Sequence, residues 1–220
     1  MKKSLVLLLL TSLIAISSVM AQDVDILRRK YSQISWGKNT FVHDKNWKMK
    51  SDFAINYTHG RTFYLHEEEV AGLIRFAIDG TWTDLTYAKY LRTVPFENKN
   101  KNYKFHQIDY SLGVGPSVHV NPWDDLYVHT YFRYAPTYSL FMGDKQVYGN
   151  YATYFVTGLS VSYNFIAIGF EGRFGSCNYD SLISAKKVAE HIEQLKTNPL
   201  NQLTQKVKNR GWRVYISFMF

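Results

Sequence analysis

The stretch that decides the fold is Tyr151–Phe165, which reads YATYFVTGLSVSYNF and contains no charged residue. One alternate set of residues is large and mainly apolar: Tyr151, Thr153, Phe155, Thr157, Leu159, Val161, Tyr163 and Phe165. The residues between them are mostly small or weakly polar. A period of two residues is typical of a β-strand, and the outer face of a soluble barrel would normally carry Lys or Glu. The segment therefore predicts a strand with one face toward lipid and the other toward a narrow lumen.

The segment 211–220 repeats this alternation and ends on an aromatic residue. Its apolar face consists of Trp212, Val214, Ile216, Phe218 and Phe220. Its other face consists of Arg213, Tyr215, Ser217 and Met219. This pattern resembles the C-terminal strand of outer-membrane β-barrels, in which the last aromatic residue helps the assembly machinery to recognise the protein. The resemblance implies that the barrel assembly machinery is a partner during biogenesis.

Similar alternation recurs through most of the chain, interrupted by turn-forming and polar segments. Short reversals are predicted at 79–80, 121–125 and 164–166, and longer connections near 59–69, 92–105, 140–149 and 176–210. The strands predicted between them lie near 51–59, 70–79, 82–91, 106–120, 125–138, 150–164, 167–175 and 211–220. Short and long connections alternate, as periplasmic turns and extracellular loops do. For 70–91, one long strand with a bulge is the alternative to two strands.

Together these patterns predict an all-β fold, an antiparallel up-and-down transmembrane β-barrel of eight strands over residues 51–220. The pattern resembles the small outer-membrane β-barrel proteins of Gram-negative bacteria, of the OmpA-barrel and OmpX type. The resemblance is one of architecture and of the C-terminal strand. It implies a location in the cell outer membrane.

Residues 1–21 predict a cleavable signal peptide. Lys2 and Lys3 precede an apolar run from Leu5 to Ile16, and Val19-Met20-Ala21 supplies small residues before a cleavage site at Gln22. The run is shorter than the roughly 20 residues of a transmembrane helix, and no Cys follows it to carry a lipid anchor. No later apolar stretch reaches the roughly 18 residues that a membrane-spanning helix requires, so a helical membrane protein is excluded.

Two further segments receive an interpretation. Residues 22–50 are polar and basic, and we interpret them as a periplasmic N-terminal arm, either a disordered lead-in or a plug or partner-binding arm. The connection 176–210 is long for one without structure. Its residues Leu182, Ala185, Val188, Ala189, Ile192 and Leu195 fall at helical spacing. They predict an amphipathic helix over 181–197, lying on the membrane surface or packing as a lid on the other loops.

The charge balance limits the partners. The formal net charge is +8, of which Lys2 and Lys3 in the leader supply two. A basic chain suggests nucleic acid, but export argues against it, so outer-membrane lipids and lipopolysaccharide are the expected partners. The candidate lipopolysaccharide contacts are Arg92, Lys99, Lys101 and Lys104. The single Cys177 excludes an internal disulfide and a Cys-based metal site, and leaves open a free thiol or a bond between chains.

The lumen of an eight-stranded barrel is just wide enough for side chains to fill. On the predicted lumen face the strands carry charges of both signs and a histidine: Arg75, Asp79, Asp109, His129, Arg133, Glu171 and Arg173. Buried charges must be paired. We therefore expect a lumen filled by Arg–carboxylate pairs, with a gated path for protons or solutes as the alternative.

The predicted function is that of a non-enzymatic outer-membrane barrel with a structural role or a role in interaction or assembly, including an unidentified protein partner. One alternative is a lipid-modifying enzyme of the lipid A deacylase or acyltransferase type, and another is a small-solute channel or uptake porin. Ser117 and His119 share a face, but the prediction places them in the lumen at the periplasmic end, away from outer-leaflet lipid. His59 and His66 near Glu67–Glu69 are interpreted as solvated loop residues rather than metal ligands. No catalytic residue, metal or cofactor is expected.

Overall fold

The computed structural model describes residues 28–42, 48–96, 99–123, 125–143, 146–181 and 207–220. The strands are β1 (Arg28–Val42), β2 (Lys48–Tyr64), β3 (Ile74–Phe96), β4 (Lys99–Trp123), β5 (Leu126–Gly143), β6 (Gln146–Tyr163), β7 (Ile166–Cys177), β8 (Asp180–Ser181) and β9 (Val207–Met219). None of the described residues belongs to a helix long and apolar enough to cross a membrane.

The long strands pair with their neighbours and close into a barrel. Strands β1 to β7 pair antiparallel in chain order, β7 pairs with β9, and β9 pairs with β1. The two-residue strand β8 pairs with β6 at Tyr148 and Gly149, just beyond the point where the pairing of β6 with β7 ends. Within the described part of the chain, eight long strands thus form a closed antiparallel barrel in which every long strand has two neighbours. This is the all-β fold class that the sequence predicts.

The barrel has two ends, which we call proximal and distal. The proximal end holds Arg28, Phe220 and the connections 65–73, 124–125 and 164–165. At the distal end the strands run into the connections 43–47, 97–98, 144–145 and 178–206. The short reversals predicted at 121–125 and 164–166 are therefore confirmed, and both lie at the proximal end.

Strand β1 corrects the interpretation of residues 22–50 as a periplasmic arm. Ile34 pairs with Tyr57 of β2 and with Ile216 of β9, so β1 is part of the barrel wall. The inward face of β1 is mostly polar and its outward face includes Ser32 and Thr40, so neither face is uniformly apolar and the alternation is hard to recognise. Residues 22–27 lie outside the described part of the chain.

Strand β3 corrects the prediction of two strands at 70–79 and 82–91. It is one strand of 23 residues with a register shift between Thr81 and Asp84, which is the bulged alternative. Asp79-Gly80 is not a hairpin, because such a turn needs positive φ and Gly72 is the only glycine with positive φ among the described residues. The predicted count of eight is correct because the missed β1 compensates for the divided β3.

The reversal before β3 lies at Ala71-Gly72, where φ is 54° and 65°. The amide of Ile74 donates to the carbonyl of Val70 at 3.0 Å and closes this turn. Connection 65–73 lies at the same end as the turns 124–125 and 164–165, so the prediction that a long loop at 59–69 lies at the opposite end from these turns is wrong. The predicted loop 92–105 is also largely strand, since the β3–β4 ladder continues to the pair Phe96–Lys99.

The distal half of the lumen is filled by an aromatic cluster. The ring of Phe41, which is fully buried, lies 5.2 Å from Tyr90, 5.7 Å from Phe141 and 5.8 Å from Tyr179 between ring centroids. Cys177 is buried beside this cluster. The amphipathic helix predicted over 181–197 lies, except for Ser181, outside the described residues.

Candidate functional site

Charged side chains meet in the middle of the lumen. They are Arg133, Arg173 and Arg213 together with Asp79, Asp84, Asp109 and Glu171, and none is more than 4% exposed. Seven charged groups in so small a space are stable only if they are paired and hydrogen-bonded. We call this set the lumen network.

Glu171 lies at the centre of the lumen network. It forms ion pairs with Arg213 and with Arg133, whose Nη1 lies 4.0 Å from Oε2. The hydroxyl of Tyr131 donates to Glu171 Oε2 at 2.7 Å. Two arginines and a tyrosine therefore depend on one buried carboxylate.

The two arginines each hold a second carboxylate. Arg133 donates to Asp79 Oδ2 from Nη2 at 2.8 Å and from Nε at 3.1 Å. Arg213 donates from Nη2 to Asp84 Oδ2 at 3.2 Å. This chain of pairs crosses the lumen between strands that are distant in sequence, and so fills it with hydrogen-bonded side chains.

A third pair extends the network toward the aromatic cluster. Arg173 Nη1 lies 3.2 Å from Asp109 Oδ2, and its guanidinium lies 3.8 Å from the ring centroid of Tyr154. Asp109 also accepts a hydrogen bond from Gln107 at 2.9 Å and one from Ser139. Asp109 therefore has donors on several sides, which offset the cost of its burial.

The structure brings together five of the seven residues predicted for the lumen: Asp79, Asp109, Arg133, Glu171 and Arg173. His129 lies at the edge of this group, with Nε2 3.9 Å from Asp79 Oδ2. Arg75 does not join it, because it lies at the proximal mouth with Nε 3.8 Å from Glu69 Oε1. Sequence reasoning missed Asp84 and Arg213. Arg213 was recognisable from its alternation with Trp212 in β9, whereas Asp84 is displaced in register by the bulge.

Below the lumen network, two cavities lie at the proximal end. A small cavity of about 20 Å³ is lined in part by Tyr31, His119, His129 and Ser160. A larger cavity of about 410 Å³, which we call the proximal cavity, lies at the mouth. Arg29 and His119 line both cavities, so the two are neighbours along the barrel axis.

Polar atoms without partners surround these cavities. The imidazole rings of His119 and His129 are stacked, with centroids 4.0 Å apart. Neither Nε2 atom has a hydrogen-bond partner among the described residues. A buried polar group without a partner is costly, so these atoms point to water or a ligand in the cavities.

The Ser117–His119 pair lies in the lumen near the proximal end, where the sequence places it. Both residues are buried, and Ser117 Oγ makes no hydrogen bond to His119 or to any other described residue. The contact that would activate a serine nucleophile is therefore not formed here.

His59 and His66, the two histidines considered as metal ligands, make local contacts. His59 Nδ1 lies 3.0 Å from Ser32 Oγ on the neighbouring strand. His66 Nε2 accepts from the amide of Phe76 at 3.0 Å, and its Nδ1 contacts the carbonyl oxygen of Glu68, so His66 stabilises the 65–73 connection. Across the described ranges, no group of three or more His, Cys, Asp or Glu side chains is arranged to hold a metal ion.

Known proteins resemble this chain in fold and not in sequence. No protein-family model matches the sequence, and no curated protein sequence matches it significantly. The structure is similar to that of Ail, the attachment invasion locus protein of Yersinia pestis, in complex with a heparin analogue (10% identity, 88% of this chain and 99% of that chain, TM-score 0.46). It is also similar to Neisserial surface protein A (10% identity, 87% and 97%, TM-score 0.44). A third similar structure is the outer membrane protease OmpT from Escherichia coli (8% identity, 88% and 96%, TM-score 0.47). The likeness concerns the fold alone, which in the described residues of this chain is a closed antiparallel barrel of eight long strands.

Proposed function

We propose that the protein is a non-enzymatic outer-membrane β-barrel, exported by the signal peptide 1–21, with a structural or interaction role. The observation that carries this proposal is the inversion of polarity across the barrel wall. The outward face exposes large apolar residues around the whole circumference, among them Ile55, Leu85, Leu112, Phe132, Leu159, Ile168 and Val214. The charged side chains of the lumen network lie inside the barrel. Water-soluble proteins rarely expose so extensive an apolar surface, whereas a lipid bilayer requires one.

The orientation follows from the connections. The proximal connections 65–73, 124–125 and 164–165 have nine, two and two residues. The distal end also has short connections at 97–98 and 144–145, but it carries by far the longest stretch between two long strands, residues 178–206 between β7 and β9. Outer-membrane barrels have short periplasmic turns and longer extracellular loops. The proposal therefore puts the proximal end in the periplasm and the distal end outside the cell.

In this orientation the basic residues Arg92, Lys99, Lys101 and Lys104 lie on the distal part of the β3–β4 hairpin. Phosphate groups of lipopolysaccharide are at this level of the membrane, and charge-assisted hydrogen bonds from Lys and Arg would bind them. We therefore include lipopolysaccharide among the proposed partners, beside the barrel assembly machinery and an unidentified protein.

The proposal is tested by native mass spectrometry of the mature protein, extracted from outer membranes in a mild detergent. A stoichiometric second protein, a dimer or retained lipopolysaccharide supports an interaction role. A monomer without bound protein contradicts the idea of an obligate protein partner. The structural role would then be the remaining form of the proposal. If the protein is not found in outer-membrane fractions, the proposal as a whole is wrong.

A filled lumen predicts that the barrel does not conduct ions. The lumen network and the aromatic cluster lie one above the other along the barrel axis and occupy the lumen with buried side chains. We expect the purified protein in a planar lipid bilayer to give no steady conductance above that of protein-free membrane. A general porin inserted under the same conditions is the positive control. A steady, ohmic conductance would instead favour the solute channel.

A further inference from the structure

The proximal cavity contains an arginine without a counter-charge. Arg29 Nη2 donates to the carbonyl of Asn164 at 2.7 Å, and its guanidinium lies 5.5 Å from the ring centroid of Tyr127. Both of these partners are neutral, and no described carboxylate forms an ion pair with Arg29. Arg29 also contacts the hydroxyl of Tyr64, which is another neutral partner, so its positive charge is left to a ligand in the cavity.

A second arginine of the cavity is only weakly neutralised. The nearest carboxylate oxygen to Arg75 Nε is 3.8 Å away on Glu69, beyond hydrogen-bond distance, and this buried Nε has no hydrogen-bond partner among the described residues. The same Glu69 oxygen accepts a hydrogen bond from Asn121 at 3.3 Å. The other acidic side chain of the lining, Asp125, is exposed at the mouth.

The base of the cavity offers a further unsatisfied group. His119 is 4% exposed, and its Nε2 atom has no hydrogen-bond partner among the described residues. The ring is held in place by stacking on His129 at 4.0 Å and by an edge contact with Tyr64 at 5.1 Å between centroids. A ligand bound between Arg29, Arg75 and His119 would give the Nε2 atom of His119 the hydrogen-bond partner that it lacks.

We propose that the proximal cavity binds a small solute carrying a carboxylate or phosphate group, with Arg29 and Arg75 contacting the anion and His119 beneath it. Guanidinium groups match the geometry of carboxylates and phosphates, and their hydrogen bonds to these anions are strong. The cavity volume of about 410 Å³ is in the range of small-molecule sites. The rings of Tyr64, Tyr127 and Phe165 in its lining would pack against the organic part of the solute. The function proposed above adds that the proximal cavity opens to the periplasm, so the solute would come from there.

Isothermal titration calorimetry of the mature protein tests this proposal. The protein is held in a maltoside detergent, which carries neither phosphate nor carboxylate, and the ionic strength is fixed. The probes are inorganic phosphate, glucose 6-phosphate and succinate, with glucose as the uncharged comparison. We expect saturable binding of at least one charged probe and none of glucose. Preference for phosphate or for succinate identifies which of the two anionic groups the site selects.

Matched variants locate the binding. Arg29→Gln is expected to weaken binding at least about tenfold, because it removes a charged hydrogen-bond donor. Arg61→Gln makes the same change in charge on the outward face of β2 at the same end, and is expected to leave binding unchanged. His119→Phe retains an aromatic ring against Tyr64 and His129 but removes the nitrogen, and is expected to weaken binding as well. Heat-modifiable migration in gels verifies that each variant is folded.

The inference is overturned if no charged probe binds saturably to the wild-type protein. It is also overturned if Arg29→Gln and Arg61→Gln weaken binding equally. Anion binding would then depend on the net charge of the protein and not on the cavity. Because the titration is done in micelles, failure to bind leaves the proposed membrane location untouched. Absence from outer-membrane fractions would likewise leave a measured binding constant intact.

Discussion

Replacement of Glu171 by alanine is expected to lower the free energy of unfolding by about 3–5 kcal/mol. The substitution removes one carboxylate from a site where Arg133 and Arg213 are both buried, and it deprives the hydroxyl of Tyr131 of its acceptor. The loss is large because buried guanidinium groups are left without part of their counter-charge. Equilibrium unfolding in urea, followed by tryptophan fluorescence of the protein in lipid vesicles, measures the effect.

Two further variants distinguish disruption of the lumen network from the general effect of removing a carboxylate. Glu68→Ala removes an exposed carboxylate in connection 65–73 and is expected to change stability by less than about 0.5 kcal/mol. Glu171→Gln keeps an acceptor for Tyr131 but removes the charge. Its loss of unfolding free energy is expected to lie between those of Glu68→Ala and Glu171→Ala. A loss below about 1 kcal/mol for Glu171→Ala would show that the arginines find other partners or water, and the lumen network would then not be a stabilising unit.

Leu159→Arg is expected to destabilise the protein in a bilayer by about 2–4 kcal/mol. Leu159 is 54% exposed and points outward from β6, with Tyr163 at the proximal end of the same face. If this surface contacts the hydrocarbon core, a guanidinium there must be taken out of water. The same vesicle-based urea unfolding provides the measurement.

The matched control places the same arginine at the end of the strand. Tyr163→Arg lies where the side chain can reach the headgroups, so its cost is expected to be at most about 1 kcal/mol. In a water-soluble barrel both positions would be solvated, and neither arginine would cost more than about 0.5 kcal/mol. Equal and small effects would therefore exclude a bilayer around this surface.

The sequence predicts the barrel well wherever one face of a strand is mainly apolar and free of charge. This is so for Tyr151–Phe165 and for the segment ending at Phe220, and the faces of these strands point as the alternation indicates. It fails for β1, because polar residues lie on both faces of that strand. It fails at Asp79-Gly80 because a dipeptide common in hairpins also fits an extended strand when the aspartate has a buried partner, here Arg133.

For the site, the sequence predicts the face of a residue but not its level along the barrel axis. Arg75 and Asp79 point to the same side of β3, yet one lies at the proximal mouth and the other joins the lumen network. The level depends on strand tilt and register, which long-range pairing sets. The proximal cavity was not predicted, because Arg29 belongs to the segment interpreted as an arm and the cavity is formed where several strand ends meet.

The pairing of β1 with β9 has a consequence for the order of events during biogenesis. Tyr31 is the register partner of Met219, so the ring joins two segments separated by nearly the whole described chain. No ribosome-bound or partly translocated intermediate can complete this ring before β9 has been made and delivered. Until then β1 and the strand next to β9 present open edges that can pair with other chains. The final step of folding is therefore the pairing of β9 with β1, and this step cannot begin while the chain is incomplete.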